Sequence, residues 1–332
     1  MSLNIAQINK GEGWLKNVNI HNFEQSALEV FRYQAEHCII YRDYIAAIGC
    51  NPAGVSTIGN IPYLPISFFK SHEVTSGLFT AERIFESSGT TGMQTSRHYL
   101  KSAALYETSF QLTFERFYGK PEDYLFLCLL PSYLERGNSS LVYMADKLIR
   151  LSAHEDSGFY LDNFENLAAA LQRAKDSGRK PFLLGVTFAL LDFAAAFPMN
   201  LAGAIVMETG GMKGRREEWT RNQVHDFLKA QWQLKEVHSE YGMTELLSQA
   251  YALHDGIFHT PPFMKVCVRD ENDPFSLSDR GSGCLNIIDL ANIHSCSFIA
   301  TDDIARMHAG GSFEVLGRLD HSALRGCSLM VV

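Results

Sequence analysis

No stretch of this 332-residue sequence is apolar enough for long enough to cross a bilayer. The longest runs, LFLCLLP after Tyr124 and FALLDFAAAF after Thr187, stop well short of the ~20 residues a spanning helix needs. No basic stripe interleaved with aromatics occurs, and the net charge is -8, which argues against nucleic acid as a partner. Lys10 and Lys16 near the start are not followed by an apolar run of the kind a signal peptide carries. The seven cysteines show no CxxC pair, so metal-ligand spacing is missing. An odd cysteine count without an export signal leads us to expect reduced thiols and a cytoplasmic location. Internal repeats, low-complexity tracts and charge runs are all missing.

What is present is an ordinary globular balance, 46% apolar and 20% charged. The length exceeds what one hydrophobic core usually serves, which favours one large domain with subdomains or two domains. Phe23, Leu28, Phe31 and Ala35 recur at helical spacing within a helical first 50 residues. A Gly-, Pro- and Ser-rich loop follows, from Asn51 to Pro65. Strand-like and helix-like segments then alternate. Strands are predicted at Tyr124–Leu130, from Pro181 (PFLLGV) and at Gly203–Glu208, and helices at Ser139–Arg150, Asn163–Ser177 and Glu217–Gln233. Thr187 is placed to cap the helix after PFLLGV. This alternation predicts an α/β fold with a partly parallel sheet. Beyond Gly256 come short β-rich pieces, MKVCV from Met264, CLNIID from Cys284 and SFEVLGRLD from Ser312. We therefore expect an α/β core over 1–255, a smaller β-rich subdomain over 256–320 and a tail over 321–332.

Four short motifs carry chemistry. SSGTTG (Ser87–Gly92) combines glycines with hydroxyls, which lets backbone N–H and O–H donors curl around phosphate. No Gly-Lys-Ser/Thr closes it, so it is not a Walker A loop. YGMTE (Tyr241–Glu245) offers a ring to stack on a purine, a hydroxyl for phosphate and a carboxylate for Mg²⁺. TDD (Thr301–Asp303) supplies carboxylates that accept from ribose hydroxyls, and GRLD (Gly317–Asp320) closes the β-rich segment. Taken singly, each also reads as an ordinary polar turn.

In this order the four motifs resemble those of the adenylate-forming superfamily: acyl-CoA synthetases, luciferases and peptide-synthetase adenylation domains. The resemblance implies ATP and Mg²⁺ as cofactors and an N-terminal-type core of mixed parallel sheets flanked by helices plus the β-rich part. It implies that Ser87, Ser88, Gly89, Thr90, Thr91 and Gly92 form the phosphate loop. Tyr241, Gly242, Thr244 and Glu245 would be the adenine and metal segment, with Glu245 the metal ligand. Asp303 would take the ribose, Asp302 standing where the family usually has Gly. Arg318 would lie near ribose and phosphate, Asp320 at a hinge, and Gly210 and Gly211 along the adenine pocket. Four further stretches, Ile61–Glu73, Leu129–Met144, Glu208–Arg216 and Leu324–Leu329, resemble landmarks of the LuxE-like acyl-protein synthetases of bacterial bioluminescence.

That closer resemblance implies a carboxylic, fatty acid substrate and transfer of its acyl group to a cysteine near the C-terminus, a place Cys327 occupies. Arg325 beside it suits a nucleophilic thiol, since positive charge lowers a thiol pKa, while a gap-filling tail cysteine is the plainer reading. The acceptor beyond Cys327 would be another protein or coenzyme A. Two departures stand out. The chain ends twelve residues after Asp320, where the superfamily continues into a small domain bearing a catalytic Lys, so that domain is expected to be missing. The phosphate loop also lacks its usual trailing Lys, leaving Arg97 or Lys213 to supply the charge. His98 and His238 are candidates to line the site, but a lone His is more often structural, and neither is assigned a catalytic role. The other readings open are an acyl- or aryl-CoA ligase and a non-catalytic nucleotide-binding subunit or interaction module of a biosynthetic complex.

Overall fold

The computed structural model describes residues 12–87, 94–130, 138–210 and 219–319. Helices α1 (Phe23–His37) and α2 (Ile39–Ala47) open the chain, followed by strand β1 (Leu64–Pro65) and the single turn α3 (Phe68–Ser71). The four apolar residues that predicted the first helix, Phe23, Leu28, Phe31 and Ala35, are all buried in α1. Phe31 meets Phe298 edge-on at 6.0 Å, and Gln34 hydrogen-bonds the backbone around Asn292 and Ser297, fixing α1 to the C-terminal β-rich part.

Strands β2 (Arg83–Glu86) and β3 (Arg97–Leu100) pair as an antiparallel hairpin that forms its own two-stranded sheet. Helix α4 (Ala103–Tyr118) leads into β4 (Leu125–Leu129), α5 (Ser140–Ser152), β5 (Gly158–Phe159), α6 (Phe164–Asp176), β6 (Pro181–Val186) and α7 (Thr187–Ala196). Then come β7 (Ile205–Thr209), α8 (Arg221–Trp232) and β8 (His238–Tyr241). Every residue of β4 and β6 is buried, as expected of strands covered on both faces by crossover helices. Strands β5, β4, β6, β7 and β8 lie side by side and parallel. Side-chain caps define the helix starts: Ser139 and Asn163 accept from Val142 N and Asn166 N, and Thr220 with Gln223 forms a capping box on α8. That box sets the start of α8 at Arg221, later than the expected start at Glu217.

The sheet turns antiparallel at β9 (Ala250–Ala252) and continues through β10 (Phe258–His259), β11 (Met264–Arg269), β12 (Leu277–Ser278), β13 (Gly281–Asp289), β14 (Phe298–Met307) and β15 (Phe313–Arg318). Among the described residues one 13-stranded sheet results, ordered β12-β11-β13-β14-β15-β10-β9-β8-β7-β6-β4-β5, with β1 on β14. The expected α/β class, parallel strands between helices leading into an antiparallel β-rich part, is what the structure has. Two registers place the chemistry. Thr209 of β7 lies opposite Glu240 of β8, and Asp303 of β14 lies opposite Arg318 of β15.

The expected helix after PFLLGV forms, but Thr187 is its first residue and Val186 the cap. The Thr187 hydroxyl is engaged elsewhere, within hydrogen-bond reach of Glu208 Oε2 at 2.9 Å and of the Gly210 carbonyl.

Candidate functional site

The carboxyl ends of parallel strands are where an α/β sheet usually holds a ligand, because crossover loops leave a crevice there. Strands β7 and β8 end side by side, at Thr209–Gly210 and Tyr241–Gly242. Gly210 sits at φ +69°, which a residue with a side chain rarely adopts, so the chain turns sharply as it leaves β7. At the end of β8, Glu240 folds its carboxylate over Gly242, where any Cβ would collide with Oε1, and accepts a short hydrogen bond from Thr209. Glu208 is buried beside it, with Arg221 Nε at 3.5 Å and His225 Nε2 at 3.7 Å. Burial opposes the Glu208 charge, but hydrogen bonding from His225 and the Arg221 charge hold its carboxyl below the usual range.

Tyr241, Asp303 and Arg318 come from three different motifs and meet. The Tyr241 hydroxyl donates to Asp303 Oδ2 at 2.7 Å, and Arg318 Nε donates to Asp303 Oδ1 at 3.1 Å. The β14–β15 register puts Asp303 and Arg318 opposite one another, and Leu319 N donates to Asp302 O at 2.7 Å, continuing the pairing. Asp303 is buried while Arg318 reaches out, so each carboxylate oxygen has one donor and keeps a lone pair for another. The Tyr241 ring is fixed edge-on by Phe258 at 5.8 Å and Phe313 at 5.6 Å.

The other half of the site is built on the β2–β3 hairpin. Ser87 N donates to Ser96 O at 3.0 Å, and Ser96 N donates to Ser87 Oγ at 2.9 Å, clasping the base of the hairpin between whose strands SSGTTG lies in the chain. His98 Nδ1 donates to the Thr244 carbonyl at 2.9 Å. Glu245 is buried; burial pushes its carboxyl up, and a hydrogen bond from Ser96 draws it partly back. Asn292 Nδ2 donates to Glu245 O at 2.7 Å, while Asp289 accepts from Leu247 N and Ser248 N, both at 2.9 Å. The segment after YGMTE is therefore pinned from below by β13 and the turn that follows it.

Of the residues expected to act, Tyr241, Asp303 and Arg318 fall into one cluster and Ser87, Thr244 and Glu245 into the other, while Gly210 and Gly242 lie at the ends of β7 and β8. Ser88, Gly89, Thr90, Thr91, Gly92, Gly211, Lys213, Asp320 and Cys327 lie outside the described residues. Arg97 is exposed on β3. His238 begins β8, at the end opposite Tyr241, with the Tyr118 hydroxyl 3.1 Å from its Nδ1. It does not join the site. Ser96, Asp289, Thr209 and the Glu208–Glu240 pair were not among the expected site residues. Thr209 and Glu240 meet across neighbouring strands, and Asp289 meets the amides of Leu247 and Ser248 more than 40 residues earlier in the chain.

Three titratable groups, one buried and two half-buried, give the fold a response to acid. Burial pushes His98 and His238 each down to about 4, while burial, with Glu208 adding to it, pushes Glu240 up to about 7. Below the ordinary imidazole value, about 6.5, the unfolded chain takes up two protons that the fold refuses, so stability falls as pH falls. Glu240 acts in the opposite sense between about pH 4.5 and 7, because its folded carboxyl keeps a proton that the unfolded one loses. From these three groups the net of one proton predicts a loss of at most about 1.4 kcal/mol per pH unit between pH 6 and 5, and the carboxyls of Glu245 and Asp289, which burial also pushes up, reduce it. Glu240→Gln should steepen that slope towards two protons. Urea unfolding across this range checks both, and a slope left unchanged by Glu240→Gln would contradict the assignment.

No family model matches the chain, and no curated protein matches it. Solved structures do. A 2-hydroxyisobutyryl-CoA ligase in the postadenylation state, in complex with 2-HIB-AMP, aligns at a TM-score of 0.58 and 13% identity, covering 89% of this chain and 66% of its own. MatB from Rhodopseudomonas palustris aligns at 0.52 and 16%, covering 85% and 58%. A long-chain-fatty-acid-CoA ligase from Archaeoglobus fulgidus aligns at 0.51 and 15%, covering 74% and 53%. The chain has the fold of the N-terminal core of adenylate-forming acyl-CoA ligases, and it spans roughly half to two-thirds of the length of the structures it matches.

Proposed function

We propose that this chain activates a carboxylic acid with ATP as an acyl-adenylate, in the manner of the adenylate-forming ligases whose fold it shares. One observation carries the reading: residues from four separated motifs are drawn together at the carboxyl end of the parallel strands. Tyr241, Asp303 and Arg318 form one cluster, and Ser87, Ser96, Thr244 and Glu245 form the other.

The donor set fits the cofactors. Asp303 keeps acceptor capacity for ribose hydroxyls, and the Arg318 guanidinium is the cation nearest to it. Glu245 is a buried carboxylate with hydroxyl and distant cationic support, a group whose charge a divalent ion would compensate. Among the described residues no group of three or more His, Cys, Asp or Glu is placed to hold a metal alone. Mg²⁺ typically takes one or two carboxylates and completes its shell with substrate phosphates and water. Mg²⁺ would offset charge on the phosphates. The chain's own work is to orient the ribose through Asp303, to hold the loop ends closed through Ser87 and Ser96, and to carry the metal on Glu245. With phosphates so held, the acid's carboxylate oxygen attacks the α-phosphorus and pyrophosphate departs. Acid-dependent exchange of labelled pyrophosphate into ATP, across a panel of fatty and aromatic acids, tests this. Exchange with none of them would count against it.

The finer reading is that the acyl group passes to Cys327, as the resemblance to LuxE-like acyl-protein synthetases suggests. With ATP, Mg²⁺ and the right acid, the protein is expected to gain an acyl mass removable by neutral hydroxylamine. Cys327→Ser should lose the adduct and keep exchange, because adenylation precedes thiol attack. Full labelling of Cys327→Ser would move the nucleophile to another cysteine. Robust exchange with no adduct on the wild type would favour a ligase acting on coenzyme A.

A further inference from the structure

Among the described residues, the β2–β3 hairpin, whose strands flank the segment carrying SSGTTG, shares no backbone ladder with the main sheet. Its seating on the YGMTE segment therefore depends on side chains. Along β3 the residues alternate, Arg97 out and His98 in, so the strand's pleat aims one imidazole at the main sheet. His98 is 1% exposed, and its Nδ1 lies 2.9 Å from the Thr244 carbonyl. A carbonyl only accepts, so the proton sits on Nδ1. The ring meets Phe69 of α3 edge-on at 6.0 Å, which fixes its plane.

Two residues earlier, Ser96 clasps Ser87 and hydrogen-bonds Glu245. A displacement of His98 thus moves the loop end and the metal carboxylate together. We propose that His98 is the positioning residue that holds the base of the β2–β3 hairpin, at Ser87 and Ser96, in register with Thr244 and Glu245, through an imidazole protonated on Nδ1. The inference rests on the adenylation reading and adds a residue with no contact to substrate. Burial pushes the ring down to about 4, so at ordinary pH it is neutral and carries its one proton on the nitrogen that faces the Thr244 carbonyl.

Three substitutions separate this role from simple packing. His98→Phe keeps a ring against Phe69 but leaves the buried Thr244 carbonyl unpaired. His98→Asn places an amide N–H close to where Nδ1–H was, whereas His98→Gln places it nearer the Nε2 position. Exchange of pyrophosphate into ATP is measured with saturating acid, at a temperature where circular dichroism shows each variant folded. We expect His98→Phe to lose at least about thirtyfold in rate with the KM for the acid within twofold of wild type. His98→Asn should recover about tenfold of that loss and His98→Gln should not. Histidine-selective ¹⁵N labelling of the wild type should show the Nδ1–H tautomer, a readout that requires no variant to fold.

An Nε2–H tautomer overturns the proposal. So does His98→Phe exchanging within threefold of wild type, or Asn and Gln variants of equal activity. If the wild type itself exchanges with no acid, the adenylation reading fails, and the tautomer still decides whether the hydrogen bond to Thr244 exists.

Discussion

Glu245→Gln is expected to slow Mg²⁺-dependent pyrophosphate exchange by about 100- to 1,000-fold, the usual effect of removing one group that stabilises charge at the reacting centre. Glutamine has nearly the volume of glutamate and still accepts from Ser96, so the buried pocket need not reorganise. The bond from Asn292 goes to the backbone carbonyl of residue 245, and the Asp289 contacts go to Leu247 and Ser248. None depends on the carboxylate. The loss should therefore appear in rate with the melting temperature nearly unchanged. Glu245→Ala should be equally inactive and somewhat less stable, since it also opens a cavity in a position only 5% exposed. Wild-type exchange by either variant at equal Mg²⁺ would remove Glu245 from the mechanism.

Asp303→Ala is expected to weaken nucleotide binding by about 100-fold. The estimate follows from losing hydrogen bonds to a charged acceptor, each worth roughly 1.5–3 kcal/mol. Two things are lost together: the acceptor for the ribose and the partner that holds Tyr241 and Arg318. Tyr241→Phe separates them, because it keeps the ring between Phe258 and Phe313 and deletes only the hydroxyl. Its expected effect is smaller, about three- to tenfold. Calorimetric titration with ATP distinguishes the two variants. Undiminished affinity in Asp303→Ala would mean that the ribose is held elsewhere.

Much of the architecture could be read from the sequence where the determining interactions are local. The unbroken apolar runs of β4 and β6 are strands because both faces are covered, and Asn163 and Ser139 stand at the helix starts as caps. The Thr-x-x-Gln pattern at Thr220 marks the start of α8, a signature the expected start at Glu217 overlooked. Thr187 misled because its hydroxyl finds Glu208 and Gly210, which lie more than twenty residues away on a neighbouring strand and its exit turn. The same distinction holds in the site. YGMTE, TDD and GRLD were legible as an ordered set, although nothing in any one of them reveals that Tyr241 and Arg318 share one carboxylate. Nothing local to His98 or Asp289 marks their distant partners, although Asp289 also caps the turn that follows it by accepting from Ala291 N. Their partners are Thr244, which is 146 residues from His98, and the amides of Leu247 and Ser248, about 40 residues before Asp289. Register and burial alone bring them together.

The central claim is attack by a carboxylate oxygen on the α-phosphorus of ATP, and oxygen labelling tests it most directly. An acid carrying ¹⁸O in its carboxylate is incubated with the protein, ATP, Mg²⁺ and a thiol acceptor, and the products are weighed by mass spectrometry. Acyl-adenylate formation places the labelled oxygen between carbonyl carbon and α-phosphorus, and thiol attack then expels it with AMP. One ¹⁸O in AMP, with pyrophosphate unlabelled, is the predicted result. Label in inorganic phosphate alongside ADP would mean attack at the γ-phosphorus through an acyl phosphate, and would contradict the account.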